Sequence, residues 1–265
     1  MCLIVFAWRP GHAQPLIVAA NRDEFHARPS LPLGHWDDAP QVVAGRDLQA
    51  GGTWMGVTTD GRFAALTNIR APGAPLGERS RGELPERFLR GAQSPAHYLQ
   101  ELTRRLGQYS GFNLLVGNLT ELWYLNSKEA TPRALSPGVY GLSNAALDTP
   151  WPKLLSTRSA LEACLGAPER DRLLEIMSDS RPAADAELPT TGISHEMEKL
   201  LSSAFIASPD YGTRAITLLV RRADGSMSMT ERRFDAKGVT GETEVDLPPT
   251  TTEPAKVRVR SRQMD

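Results

Sequence analysis

Met1-Cys2-Leu3-Ile4-Val5-Phe6-Ala7-Trp8 and Leu16-Ile17-Val18-Ala19-Ala20-Asn21-Arg22-Asp23-Glu24 are two largely apolar runs, joined by Arg9-Pro10-Gly11-His12-Ala13-Gln14-Pro15. Pro-Gly is a turn signal, so the two runs are expected to pair as an antiparallel hairpin. Centring that hairpin near Gly11 or His12 sets Cys2 opposite Ala20 to Arg22 and brings a thiol beside a guanidinium. Leu3, Val5 and Ala7 alternate with Ile4, Phe6 and Trp8, and Leu16 to Ala20 is apolar without a break. Strands of this kind are buried on both faces.

Position 2 carries the chemistry. A small residue after the initiator methionine usually lets the cell remove that methionine, so Cys2 is expected to become the first residue, with both a thiol and a free α-amine. An ordinary thiol has a pKa of about 8.5, whereas an α-amine near about 7.7–8.0 is an effective base at neutral pH. One residue then supplies nucleophile and base. A cation within roughly 4–6 Å lowers a thiol pKa by about 1–3 units, and Arg22 is the candidate for that role. Replacing Arg22 by methionine is therefore expected to slow alkylation of Cys2. It should change folding little, provided that no buried carboxylate is left unpaired. Taken alone, Cys2 reads more simply as a small buried apolar residue that does no chemistry.

A second hairpin, Trp54 to Thr58 with Phe63 to Asn68, turns at Asp60-Gly61, and a late one, Arg214 to Arg222 with Met227 to Phe234, turns at Asp224-Gly225. Between them lies a helical block. Ser80 with Glu83 resembles a capping box, Ser94-Pro95 opens a segment through Leu106, and further helices are expected from Thr149-Pro150 to Leu165 and from Arg172 to Met177. Strands at both ends of the chain with amphipathic helices between them make the fold class α+β. The glycines at 45, 51 and 52 fit no phosphate loop; they read as a turn that lets backbone pass close to the active site. From residue 236 to 265 the chain turns rich in Thr, Pro and charge. That stretch is expected to be a mobile extension of a domain spanning residues 1–235.

With 265 residues, a net charge of −1 and 40% hydrophobic composition, the chain can bury a full core. Its charges are balanced and dispersed, which argues against nucleic acid or an anionic membrane as a partner. No apolar run approaches the roughly 20 residues of a membrane span, and no secretory signal opens the chain. Two cysteines, Cys2 and Cys164, suit a reducing cytoplasm. His12, His26, His35, His97 and His195 form no metal-spaced set, and no motif implies a cofactor. Nothing in the sequence sets an oligomeric state.

Asn21-Arg22-Asp23-Glu24 followed by Phe25-His26-Ala27-Arg28-Pro29, with the Met-Cys start and Gly51-Gly52-Thr53-Trp54, strongly resembles the signature of the NRDE family, also called the transport-and-Golgi-organisation family. The resemblance covers most of residues 1 to about 235. It implies a four-layer αββα sandwich of two antiparallel sheets, as in cysteine N-terminal-nucleophile (Ntn) hydrolases. Composition and periodicity support α+β without that layering.

Asn68 in Leu66-Thr67-Asn68-Ile69-Arg70 and Asn144 in Tyr140-Gly141-Leu142-Ser143-Asn144 stand at the ends of predicted strands, where spacing alone reads them as turn asparagines. Their surroundings resemble asparagine motifs of bile-salt hydrolases and penicillin V acylases, which implies support of the oxyanion and the nucleophile. An amide offers donors with no charge to neutralise, and losing one oxyanion donor costs about 2.7–4 kcal/mol of barrier. Both asparagines are thus expected to converge on Cys2. Arg214, in Pro209-Asp210-Tyr211-Gly212-Thr213-Arg214, also resembles the family pattern and is expected to orient Cys2 or a substrate carboxylate. One departure stands out. Cysteine Ntn acylases place an aspartate three residues after the arginine that faces the nucleophile, and here that position is Phe25. Asp23 or Glu24 takes its place, and since neighbours on a strand face opposite sides, the residues alone leave the choice open.

The resemblance thus implies a hydrolase acting on a non-peptide carbon–nitrogen bond of a small acyl compound, with Cys2, Arg22, Asp23, Asn68, Asn144 and Arg214 as its site. The alternative is a non-catalytic carrier of haem or an acyl lipid that uses the same pocket for a hydrophobic ligand.

Overall fold

Strand β1 (Cys2–Trp8) pairs antiparallel with β2 (Leu16–Phe25), and the register sets Cys2 against Arg22 and Trp8 against Leu16. Both faces of the hairpin are buried. Leu3, Val5, Ala7, Ile17 and Ala19 pack under helices, while Ile4, Phe6, Trp8, Leu16 and Val18 pack against a second sheet. Each of the Leu, Ile, Val and Phe side chains among them contributes about 1.5–3 kcal/mol on burial. The hairpin is therefore the keel of the molecule.

The computed structural model describes residues 2–249 and the backbone of residues 258–262. Met1, with its expected removal, lies outside the described residues. After β2 come β3 (Ser30–Trp36), β4 (Ala39–Asp47), β5 (Met55–Thr58) and β6 (Phe63–Asn68), then α1 (Glu83–Arg90) and α2 (Pro95–Thr103). Strands β7 (Phe112–Gly117), β8 (Leu122–Asn126), β9 (Arg133–Ala134) and β10 (Gly138–Leu142) lead to α3 (Pro152–Cys164), α4 (Arg170–Met177) and α5 (His195–Leu200). The chain closes with β11 (Tyr211–Arg221), β12 (Met227–Asp235), β13 (Gly238–Leu247) and β14 (Arg258–Arg262).

Two seven-stranded antiparallel sheets result, in the orders β10-β1-β2-β11-β12-β13-β14 and β3-β4-β5-β6-β7-β8-β9. Ile4, Phe6, Val18 and Leu219 of the first meet Val57, Phe63, Leu115 and Tyr124 of the second to form the central core. Leu154 and Leu161 of α3 with Leu173 and Met177 of α4 cover the outer face of the first sheet, and Phe88, Leu99 and Leu102 of α1 and α2 cover that of the second. The architecture is α+β in four αββα layers. Among the described residues no helix is long and apolar enough to cross a membrane.

The structure corrects two expectations. Residues 238–247 are not an extension: β13 pairs with β12 from Met227↔Leu247 to Asp235↔Gly238, and Val245 and Leu247 join the central core. A period-2 pattern is present but muted, because Gly241 and Thr243 hold buried positions while Glu242 and Glu244 alternate with them and are neutralised by Arg232 and Arg170. Residues 250–257 and 263–265 lie outside the described residues. Ser80 is not the cap of α1 either. The N-cap is Gly82, and the Glu83 carboxylate turns to Arg79 instead. Ser94, by contrast, caps α2 by accepting from His97 N.

Candidate active site

At the end of the hairpin where β1 begins, a cavity of about 360 Å³ opens between the sheets. Cys2 has the parity of Ile4 and Arg22 that of Ala20, so both side chains turn toward the second sheet. Cys2, Arg22, Trp54, Asn68 and Arg81 share the cavity wall. Asn68 arrives from the far sheet, at the last position of β6.

Arg22 is 6% exposed, and its guanidinium carbon lies 4.3 Å from the centroid of the Trp54 ring. The ring face thus meets the guanidinium in a cation–π stack. The close packing of Trp54 depends on Gly45, where a Cβ would fall 2.3 Å from Trp54 Cη2 and 2.5 Å from Cζ2. Gly52 serves the same purpose in the next turn, its Cα passing against the Gly82 backbone. Gly45→Ala is expected to cost about 1–3 kcal/mol by overpacking and to push the indole off Arg22. Urea unfolding and indole fluorescence check it; wild-type values in both mean that Trp54 has room to spare.

Burial pushes the Cys2 thiol above its ordinary pKa, with the Asp23 carboxylate adding to that effect. The Asp23 backbone N–H bonds to the thiol and, with Arg22, pulls the other way without prevailing. Arg22 does lower the Cys2 pKa, as expected, but desolvation by burial outweighs it and the net shift is upward.

Asp23 faces the opposite side of the strand from Arg22, beneath the sheet. It is 2% exposed, its Oδ1 accepts from Thr213 Oγ1 at 2.7 Å, and burial pushes its carboxyl up. Lys153 of α3 counters that push on Asp23. Lys153 is itself 4% exposed, donates through Nζ to Leu201 O at 2.8 Å, and is pulled down by burial to about 8. Asp23 still borders the cavity, and Glu24 lines it as well, 3.9 Å from Arg28.

The remaining expected residues divide. Asn144 is 1% exposed and does not line the cavity; its Nδ2 donates to Asn68 O at 2.8 Å. The neighbouring Ser143 Oγ donates to Cys2 O at 3.2 Å. Residues 143–144 thereby tie the backbones of Cys2 and Asn68 together across the two sheets. Arg214 stands apart from the Cys2 cavity: its Nη1 donates to the carbonyls of Phe25 and His26 at 2.9 and 2.8 Å, and its Nε to Phe234 O at 3.2 Å. A bulge between Thr213 and Ala215 re-aims this part of β11. Arg214 lines a smaller cavity of about 190 Å³ behind Arg22 and Trp54, together with Glu231. The expectation that it orients Cys2 or a substrate is corrected to a clamp on the 25–28 turn.

Sequence reasoning missed Arg81, Lys153 and Glu231. Each is one charged residue in an ordinary stretch, and only long-range packing marks it out. Among the described residues no group of His, Cys, Asp and Glu could hold a metal ion.

Three comparisons bear on this geometry. A mutant conjugated bile acid hydrolase from Clostridium perfringens superposes with a TM-score of 0.52 over 98% of this chain and 96% of its own, at 6% sequence identity. That likeness is one of fold, and the fold is that of the Ntn hydrolases. The Transport and Golgi organization protein 2 homolog of Bos taurus is 37% identical over 259 residues, covering 88% of this chain and 92% of its own. Its Homo sapiens counterpart is 36% identical over 256 residues, with the same coverage. The family model described as Transport and Golgi organisation 2 matches residues 1–236, which include every residue of the site described above, and the chain belongs to that family.

Proposed function

We propose that this chain is a cysteine Ntn hydrolase that cleaves the amide, a non-peptide carbon–nitrogen bond, of a small acyl compound. The observation that carries the reading is the shared wall of Cys2 and Asn68, with Asn144 holding the Asn68 backbone from behind. With Met1 removed, the α-amine of Cys2 takes the thiol proton while sulfur attacks the carbonyl and a C–S bond forms. Asn68 donates to the carbonyl oxygen as charge builds there. The amine passes its proton to the leaving nitrogen, the C–N bond breaks, and water hydrolyses the thioester to release the acid and restore the thiol. The raised thiol pKa makes such a base necessary, because a neutral thiol is a poor nucleophile. Both cysteines are free, as the chemistry requires, and a reducing cytoplasm would keep them so.

The test uses the purified chain after mass confirmation that it starts at Cys2. Mixing with N-acyl 4-nitroanilides and 4-nitrophenyl esters of graded chain length is expected to give a burst of one chromophore per chain. A matching acyl mass should appear on Cys2, not on Cys164, and both signals should vanish in Cys2→Ser. Absence of any burst, with stoichiometric haem or acyl-lipid binding that survives Cys2→Ser, would identify a carrier instead.

A further inference from the structure

Four arginines line the Cys2 cavity, and three of them are already engaged. Arg28 is held by Asp47 and lies 3.9 Å from Glu24, Arg79 grips Glu83 with two hydrogen bonds, and Arg22 is stacked on Trp54. Arg81 differs. Its one hydrogen bond runs from Nη1 to Gly111 O at 3.2 Å, and among the described residues it forms no ion pair. A guanidinium carries five N–H donors, so most of the fork is left for whatever enters the cavity. The titratable groups that act on it are the Cys2 thiol, Glu24 and Arg28, while Glu78 of its own loop is exposed. Glu24 lies 3.9 Å from Arg28, so Arg81 and the stacked Arg22 are the cavity arginines that form no ion pair among the described residues, and of the two Arg81 has the freer fork.

The mounting is firm. Thr53 N donates to Gly82 O at 3.0 Å, and Gly52 admits the Gly82 backbone at a distance that a Cβ would forbid. The backbone beside Arg81 is therefore anchored to the same turn that carries Trp54, and the Arg81 fork is oriented by its bond to Gly111 O. Pre-set guanidinium donors suit planar or tetrahedral oxyanions, which they bind through paired N–H···O contacts.

We propose that Arg81 is the specificity-determining residue of this site and selects acyl compounds that carry an oxyanion, a carboxylate, sulfonate or phosphate, within reach of the Cys2 cavity. The inference rests on the hydrolase reading for its substrate class, yet its test needs no turnover. Iodoacetate and iodoacetamide are near-isosteres that differ by one negative charge, and each forms a C–S bond with a thiolate and expels iodide. Their rates at Cys2 are followed by peptide mass spectrometry, with free glutathione in the same tube as the reference thiol.

The iodoacetate-to-iodoacetamide ratio is expected to be about tenfold higher at Cys2 than at glutathione, a factor that a hydrogen bond to a charged group readily supplies. Arg81→Met should bring the Cys2 ratio to that of glutathione, Arg81→Lys should leave it intermediate, and Arg104→Met, a surface change outside the cavity, should leave it unchanged. Circular dichroism confirms folding; if Arg81→Met does not fold, the lysine variant decides. A ratio equal to that of glutathione in the wild type, or one that neither Arg81 variant moves, overturns the assignment of Arg81. If neither reagent labels Cys2, the nucleophile reading falls and this inference with it. Labelling without charge preference removes Arg81 alone. Phosphate, sulfate and acetate added as competitors should slow iodoacetate selectively, and their order reports which oxyanion the fork prefers.

Discussion

Arg22→Met is expected to lower stability by about 2–3 kcal/mol at neutral pH, so a folding-neutral change, expected from the residues alone, is not what the structure supports. Glu231 is 1% exposed, shares the smaller cavity with Arg22, and owes part of its ionisation to that guanidinium. It keeps the Leu33 N–H at 2.9 Å and Arg233 at 3.7 Å after Arg22 is gone. The cost should therefore fall short of the roughly 3–5 kcal/mol of a fully broken buried pair. Burial already holds the Glu231 carboxyl above its ordinary range, which means that the folded state binds its proton more tightly than the unfolded chain does. Such a group lowers stability as pH rises above its unfolded value, and removing Arg22 deepens that loss. The deficit of the variant should accordingly be largest at neutral pH and shrink toward pH 4.5. Urea unfolding at several pH values measures it, and Glu231→Gln in the Arg22→Met background should recover more than half. Strictly additive single and double variants, agreeing within about 0.5 kcal/mol, would sever the two residues.

Lys153 offers the second large effect. Its fall from 10.5 to about 8 corresponds to about 3 kcal/mol of preference for the neutral amine in the folded state. Between those two values the unfolded chain carries a proton on Lys153 that the folded protein has shed, so stability due to this residue rises with pH across that window. Below pH 8 the full cost of burying the charge is present. Other groups titrate in the same range, among them Cys2, whose raised pKa works in the opposite direction. The clean quantity is therefore the difference between wild type and Lys153→Met, which should shift by about 3 kcal/mol in favour of wild type from pH 7 to 11. Parallel stability curves for the two proteins over that range would show that Lys153 titrates as an ordinary lysine. The same variant strips Asp23 of the buried cation that helps to keep it ionised, so any Cys2 reactivity that depends on the Asp23 carboxylate should move with it.

What the chain determined by itself was local. The Pro10-Gly11 turn and the apolar runs on either side define the β1–β2 register, and with it the meeting of Cys2 and Arg22. Asp60-Gly61 and Asp224-Gly225 close their hairpins, and Ser94 caps its helix, because turn and cap chemistry acts over a few residues. Strands β3 and β4 were harder to read, since Pro32, Gly34, Pro40 and Gly45 interrupt their alternation; β3 tolerates Pro32 as the edge of its sheet. The site as a working arrangement was decided by tertiary structure alone. Asn68 and Cys2 come to one cavity wall from different sheets, Lys153 acts on Asp23 from a helix on the outer face, and Glu231 shares a cavity with Arg22 from a strand more than 200 residues away in sequence. Whether Asn144 and Arg214 present their side chains to the cavity or spend them on backbone carbonyls is settled by which carbonyls the packed chain leaves nearby. No local pattern encodes that choice. The desolvation that raises Cys2 and Asp23 and lowers Lys153 arises in the same way, because the burial of a charge is a property of the closed core and not of the residues that flank it.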